Sequence, residues 1–150
     1  MNEMEQQVSA VPERCVVIVS QALDAGRAAN AAAVMALTLG QRHPGLVGEA
    51  LVDARQRAWP GLIPIGIPVL AANTRHLQRL WQEGASQGLD VVLFPVEGQA
   101  TTDYTQFRAA LAGQNSESFQ LIGIAIAGDK KRVRKLTSGL ALYGGPVGGA

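Results

Sequence analysis

The stretch RCVVIVSQALDAGRAANAAAVMALTLG, residues 14–40, decides the fold class. Its first seven residues, Arg14–Ser20, are rich in β-branched side chains and almost unbroken in apolar character. That predicts a central strand buried on both faces. QALDAG then turns the chain, with Asp24 placed as a helix N-cap. Arg27 to Leu39 predicts a helix built largely of alanine, the strongest helix former, and Gly40 is placed to stop it. Alanines at 28, 29, 31, 32, 33 and 36 leave little bulk on any side, so this helix should lie close against a sheet.

Working outward, residues 41–61 (QRHPGLVGEALVDARQRAWPG) are the least regular part. His43-Pro44-Gly45 and Trp59-Pro60-Gly61 are turn signals, leaving room for at most a short strand or helix between them. Leu62–Ala71 is extended, but Pro64 and Pro68 lack backbone donors, which demotes it to an edge strand or a segment paired on one side. Asn73 caps a second helix, Thr74–Gln87, with Leu77, Leu80 and Trp81 on one face, and Gly88 ends it. Leu89–Val96 is the next strand and Thr101–Ala112 the next helix, its apolar stripe being Tyr104, Phe107 and Leu111. Gln120–Ala127 is the last strand. Strict alternation puts Ile122, Ile124 and Ile126 on one face and Leu121, Gly123, Ala125 and Ala127 on the other. Gly128 to Gly139 reads as a final helix, basic outside and apolar at Val133, Leu136 and Leu140. Strands alternating with helices predict a three-layer α/β/α sandwich with a central mixed sheet of about four strands. The expected organisation is one domain over 13–143, with a flexible N-terminus (1–12) and a flexible Gly-rich tail (144–150).

Composition narrows the classes of function. The 150 residues are 47% hydrophobic and only 5% aromatic, so a sheet of base-stacking aromatics is not expected. A single cysteine, Cys15, allows no intrachain disulfide. The N-terminal residues carry Glu3, Glu5 and Glu13 and no apolar core, unlike a secretory signal, and no apolar run approaches the ~20 residues of a bilayer span. The expectation is a cytoplasmic protein with no membrane association. Net charge is +1, but its distribution is uneven. Lys130, Lys131, Arg132, Arg134 and Lys135 fall within six residues and carry the positive field.

Two segments resemble type II peptidyl-tRNA hydrolases. VVIVSQALDAGRAANAAAVMALTLG is similar to the opening strand, aspartate-leucine turn and GK-x-AAQ helix of those enzymes, and IGIAIAGDKKRVRKLTSGLAL to their closing strand and helix. The phrases CVVIV, AANAAAVMALTLG, RHPGLVG and KLTSGL, spanning most of the chain from Cys15 to Leu142, more closely resemble the domain of unknown function 2000 family. That family is thought to share the hydrolase fold, so the resemblance implies a type II peptidyl-tRNA hydrolase-like architecture and a homodimer. It does not carry the activity across. Gly26 stands where the hydrolases have a lysine, with Arg27 one residue away, and arginine does not replace a catalytic lysine. Ala33 stands where they have histidine, and Arg134 falls on or near their aspartate. Asn30 and Thr137 keep an amide and a hydroxyl. Ester hydrolysis needs a base or an activated water, and the aligned residues supply none, so no catalytic residue can be named.

Two candidate sites follow. Asp24, Arg27 and Asn30 are ligand-binding candidates, because clefts in α/β folds favour the carboxyl ends of strands, and the resemblance adds Thr137 as the retained threonine near the expected cleft. The ordinary alternative is that Asp24 caps its helix, Arg27 is solvated and Asn30 bonds a nearby group. Lys130, Lys131, Arg132, Arg134 and Lys135 are anion-binding candidates at the start of the last helix, set against a plain solvated basic face. GxxxxGKS/T and GxGxxG motifs are absent, so no nucleotide cofactor is implied. Cys15, His43 and His76 have neither metal-ligand spacing nor a nucleophile signature. Three functions are therefore expected in order: a binder of a small or phosphate-bearing ligand without peptidyl-tRNA hydrolysis; a hydrolase of altered chemistry on a tRNA-linked or other ester, with Asp24 as the nearest carboxylate; and an RNA- or protein-docking module using the basic helix 129–139.

Overall fold

A computed structural model describes residues 11–145. Most of both expected flexible ends therefore lies outside the described residues. Strand β1 spans Arg14–Ser20, and all but its first residue are buried, as an apolar β-branched run requires. It leads into helix α1, Ala25–Arg42, capped by the Asp24 side chain, which accepts from the Arg27 amide. Gly40 does not stop this helix. It runs on to Arg42, and His43 ends it because a residue before proline is steered away from helical backbone.

A 3-10 turn at Pro44–Leu46 and a two-stranded hairpin, β2 (Leu51–Val52) with β3 (Ala58–Trp59), fill the irregular region. Strand β4, Val69–Ala72, begins only after Pro68. It pairs in parallel with β1, and its other side is not free. Ala71 donates to the Ala141 carbonyl and Tyr143 to the Val69 carbonyl, so the chain after the last helix covers that edge. Helix α2, Thr74–Ser86, is capped by Asn73, and strand β5, Asp90–Pro95, follows. A separate turn of helix, α3 (Glu97–Ala100), comes next. The expected helix over 101–112 begins only at Tyr104, as α4 (Tyr104–Ala112), because the Asp103 side chain caps its start by accepting from the Gln106 amide. Strand β6 spans Leu121–Gly128 and helix α5 Lys130–Leu136. Helix α5 is shorter than expected, since the chain turns over Thr137–Gly139 and Gly139 has φ +84°.

The sheet order is β4-β1-β6-β5, with β6 antiparallel to both neighbours. It is a mixed four-stranded sheet with helices on both faces. Cys15, Val17 and Val19 pack under α1 with Ala28, Ala31, Met35 and Leu39. Val16 and Ile18 pack on the opposite face with Leu77 and Leu80 of α2 and Val133 of α5.

The alternation in β6 breaks once. Ile124 and Ile126 share the α2/α5 face with Leu121, whereas Ile122 joins Ala125 and Ala127 under α1. The register against β5 shifts at the same place, Phe94 facing Gly123 and Pro95 facing Leu121. An irregular register moves every residue beyond it to the other face, so Ile122 and Leu121 exchange the sides that strict alternation assigns. Gly123 lies beside the shift, and a Cβ there would meet the Met35 methyl at 2.7 Å and the Ile18 carbonyl at 3.1 Å. The lack of a side chain lets α1 lie that close.

Candidate functional site

Helix α1 determines where the chemistry collects. At ~1.5 Å per residue its eighteen residues span about 27 Å, enough to return the chain along β1 from Ser20 to the level of Cys15. There α1 delivers Arg42 and His43. Register places Cys15 of β1 opposite Ala127 of β6, and Ala127 opposite Asp90 of β5, so all three lie in one lateral row facing α1. Arg42 Nε donates to Asp90 Oδ2 at 2.8 Å and its terminal nitrogen to Oδ1 at 2.9 Å. His43 Nε2 lies 2.7 Å from the same Oδ2. The Arg42 side chain is 53% exposed, that of Asp90 19% and that of His43 10%, so the arginine forms the rim and the imidazole the wall.

Burial alone would raise the Asp90 pKa. Hydrogen bonds from Arg42 and then His43, with the charge of both partners, outweigh it and hold the carboxyl below its ordinary value. An ionised carboxylate has no proton to give, so Nε2 carries the hydrogen and donates it. In the neutral imidazole Nδ1 then holds a lone pair, with no hydrogen-bond partner among the described residues. Cys15, 1% exposed, has its pKa raised by burial and further by the negative charge of Asp90. It is a core thiol.

Beside this cluster lies a cavity of about 650 Å³, lined by Glu13, Arg42, His43, Asp90, Asp129 and Arg132 among others. Arg132 donates to the Gln87 carbonyl at 3.3 Å and has no carboxylate partner among the described residues. The cavity sits where β1 and β5 begin and β6 ends, opposite the strand end that sequence reasoning favoured.

At that favoured end, Asp24 accepts from the Arg27 amide at 2.9 Å. Gln99 Nε2 donates to the Arg27 carbonyl and to Asn30 Oδ1, both at 3.0 Å. Asp24, Arg27 and Asn30 are exposed and come together on one rim, to which α3 adds Gln99. Thr137 does not join them. It is buried after α5, on the other face of the sheet, and its hydroxyl donates to the Val133 carbonyl at 2.8 Å. Lys130, Lys131, Arg132, Arg134 and Lys135 are all exposed. The start of their helix already holds an anion, since Asp129 accepts from the Arg132 amide at 2.8 Å. Arg75 and Arg79 of α2 are exposed on the same side of the molecule.

Sequence reasoning passed over Arg42, Asp90 and Gln99, and read His43 chiefly as part of a turn. Arg42 and His43 could have been found from the length of the alanine helix, had it been extended to the proline rather than stopped at Gly40. Asp90 is 47 residues from His43, and no local pattern marks it.

These features define an α/β domain with a polar cavity at one end of a mixed sheet. The chain belongs to the family described as "Protein of unknown function (DUF2000)", whose model matches residues 13–144. Among solved structures it is similar to the protein of unknown function Atu0240 from Agrobacterium tumefaciens strain C58. The identity is 22% and the TM-score 0.78, over 87% of this chain and 96% of that one. At that identity the likeness concerns the fold alone. No curated protein matches. Among the described residues no helix is long and apolar enough to cross a membrane.

Proposed function

We propose that this domain binds a small ligand bearing an anionic group, carboxylate or phosphate, and does not hydrolyse peptidyl-tRNA. The observation that supports it is the cavity of about 650 Å³ beside the Arg42–His43–Asp90 cluster. Its volume falls within the ~300–1,000 Å³ of small-molecule sites, and such sites combine a few fixed polar groups with an apolar lining. Arg42 is committed to Asp90, which leaves Arg132, among the described residues that line the cavity, as the guanidinium without a carboxylate partner that can take an anion. The test is an amide NMR titration with acetate and with inorganic phosphate. Saturable shifts centred on Gly88 and Gly128 and lost in Arg132→Gln are expected. Shifts centred on Asn30 and Gln99 would move the ligand to the Asp24–Arg27–Asn30 rim, and no saturable shift would overturn the reading. A peptidyl-tRNA assay beside a genuine type II enzyme should give no turnover. A comparable rate would mean that Arg27 or Asp24 replaces the residues missing from the hydrolase pattern.

A second reading, docking to RNA, is favoured by the face that α2 and α5 share. Arg75, Arg79, Lys130, Lys131, Arg132, Arg134 and Lys135 lie there against Glu83 and Asp129, a net of +5 (seven minus two). The double substitution Lys130→Glu, Lys131→Glu should then weaken retention of RNA and flatten its salt dependence. A homodimer would use the other side, where Val34 and Leu37 of α1 are 46% and 66% exposed. Sedimentation of Leu37→Glu against the unmodified chain tests it.

A further inference from the structure

We propose that His43 is a general base that activates water for hydrolysis of a small, singly anionic acyl ester held in the Arg132 cavity, with Asp90 as its positioning residue. This rests on the ligand-binding reading of the same cavity.

Three observations converge. Asp90 Oδ2 takes the Nε2 hydrogen at 2.7 Å, and the two bonds from Arg42 fix the carboxylate in turn. A base oriented by a second group, itself anchored by a third, is the arrangement general-base chemistry requires. His43 also lines the same cavity as Arg132, which sets the imidazole and the guanidinium beside one ligand. Finally, among the described residues the cavity offers no hydroxyl or accessible thiol for a base to activate, since its lining holds no serine or threonine and Cys15 is sealed at 1% exposure. The base must therefore act on water or on the substrate itself.

The charges around the cavity select the substrate class. Among the described residues that line the cavity, Arg42 and Arg132 face Glu13, Asp90 and Asp129, a balance of −1 (two minus three). One substrate anion can pair with Arg132, whereas a second negative charge would meet the carboxylates. An ester suits a single base because its leaving oxygen departs with little protonation, unlike an amine. In the reaction a water O–H bond breaks and its proton goes to His43 Nδ1 while the water oxygen bonds the acyl carbon. The tetrahedral adduct then expels the ester oxygen with the bonding electron pair, and that oxygen or solvent takes the proton back from Nδ1. Nothing is oxidised or reduced. Asp90 stays ionised throughout, pairing with the transient imidazolium.

The test uses the mono-para-nitrophenyl ester of adipic acid beside neutral para-nitrophenyl acetate, with the full chain. Saturable release of nitrophenolate is expected, with kcat/KM falling at least ~100-fold in His43→Gln and unchanged in Cys15→Ala. Arg132→Gln should raise KM for the anionic ester and abolish its preference over the neutral one. Asp90→Asn should lower kcat and move the low-pH limb of the rate, and Asp90→Glu should restore part of both. A merely structural role would do neither. Circular dichroism and amide titration with the singly charged monoamide of adipic acid separate the outcomes. Binding of the monoamide at Gly88 and Gly128 with no His43-dependent turnover overturns the base proposal alone. Absence of binding overturns the cavity reading with it.

Discussion

Arg42 grips Asp90 through both carboxylate oxygens, at 2.8 and 2.9 Å. The last residue of α1 is thereby tied to the first residue of β5. Such a two-pronged bond fixes the carboxylate plane as well as its position, and that plane sets the imidazole of His43. The pair stabilises the fold and orients the cavity wall at once.

Replacing Asp90 with Asn should cost about 1–3 kcal/mol at neutral pH, because two donors lose a charged acceptor. The pH dependence has a definite sign. The folded-state pKa of Asp90 lies below its ordinary value, so its contribution is present above the unfolded value of ~3.9 and is lost as pH falls through the folded one. Urea denaturation of both proteins should therefore show a constant gap from neutral pH to about pH 5, closing below about pH 4. A gap that persisted into strong acid would contradict the ion pair.

Cys15 should be silent toward Ellman's reagent in the folded protein and react only at the rate of opening, because burial and the Asp90 charge both disfavour thiolate. Its raised pKa contributes stability below the unfolded value of ~8.5, lost as pH climbs through the folded value. Rapid labelling without denaturant would refute this placement.

Gly123→Ala should lower stability by about 1–3 kcal/mol, the usual cost of overpacking, since the added methyl meets the Met35 side chain and the Ile18 carbonyl. The double substitution with Met35→Ala should cost less than the sum of its parts, by ~0.5–3 kcal/mol. Additive costs in a denaturation cycle would show that α1 does not rest on Gly123.

Tyr143 donates its hydroxyl to the Leu23 carbonyl, in the turn between β1 and α1. Tyr143→Phe should cost about 0.5–1.5 kcal/mol. Hydrogen exchange should quicken at residues 21–24 while β6 stays protected. Equal acceleration in both places would mean that the phenol braces the whole domain rather than this turn.

Much of this protein follows from local sequence. The apolar run at Arg14–Ser20, the alanines of α1, and the caps at Asp24 and Asn73 fixed the element types. Alternation and hydrogen-bonding rules act over a few residues, so a single chain displays them. The same locality set the limits. Helix α1 passed Gly40 because glycine permits a helix to end without compelling it, whereas Pro44 constrains its neighbour sterically. Ile122 changed face because the register shift against β5 is a property of two strands.

The sequence also displayed the polar residues of the Asp24–Asn30 rim, which lie within one helical stretch. Tertiary structure alone decided that Asn30 and Thr137 stand on opposite faces, and that Arg42, His43 and Asp90 meet. Their meeting depends on the length of α1 matching the height of the sheet, and on β5 lying two strands from β1. Neither distance is written in any short window of residues, because each is the sum of many backbone steps that packing alone brings into register.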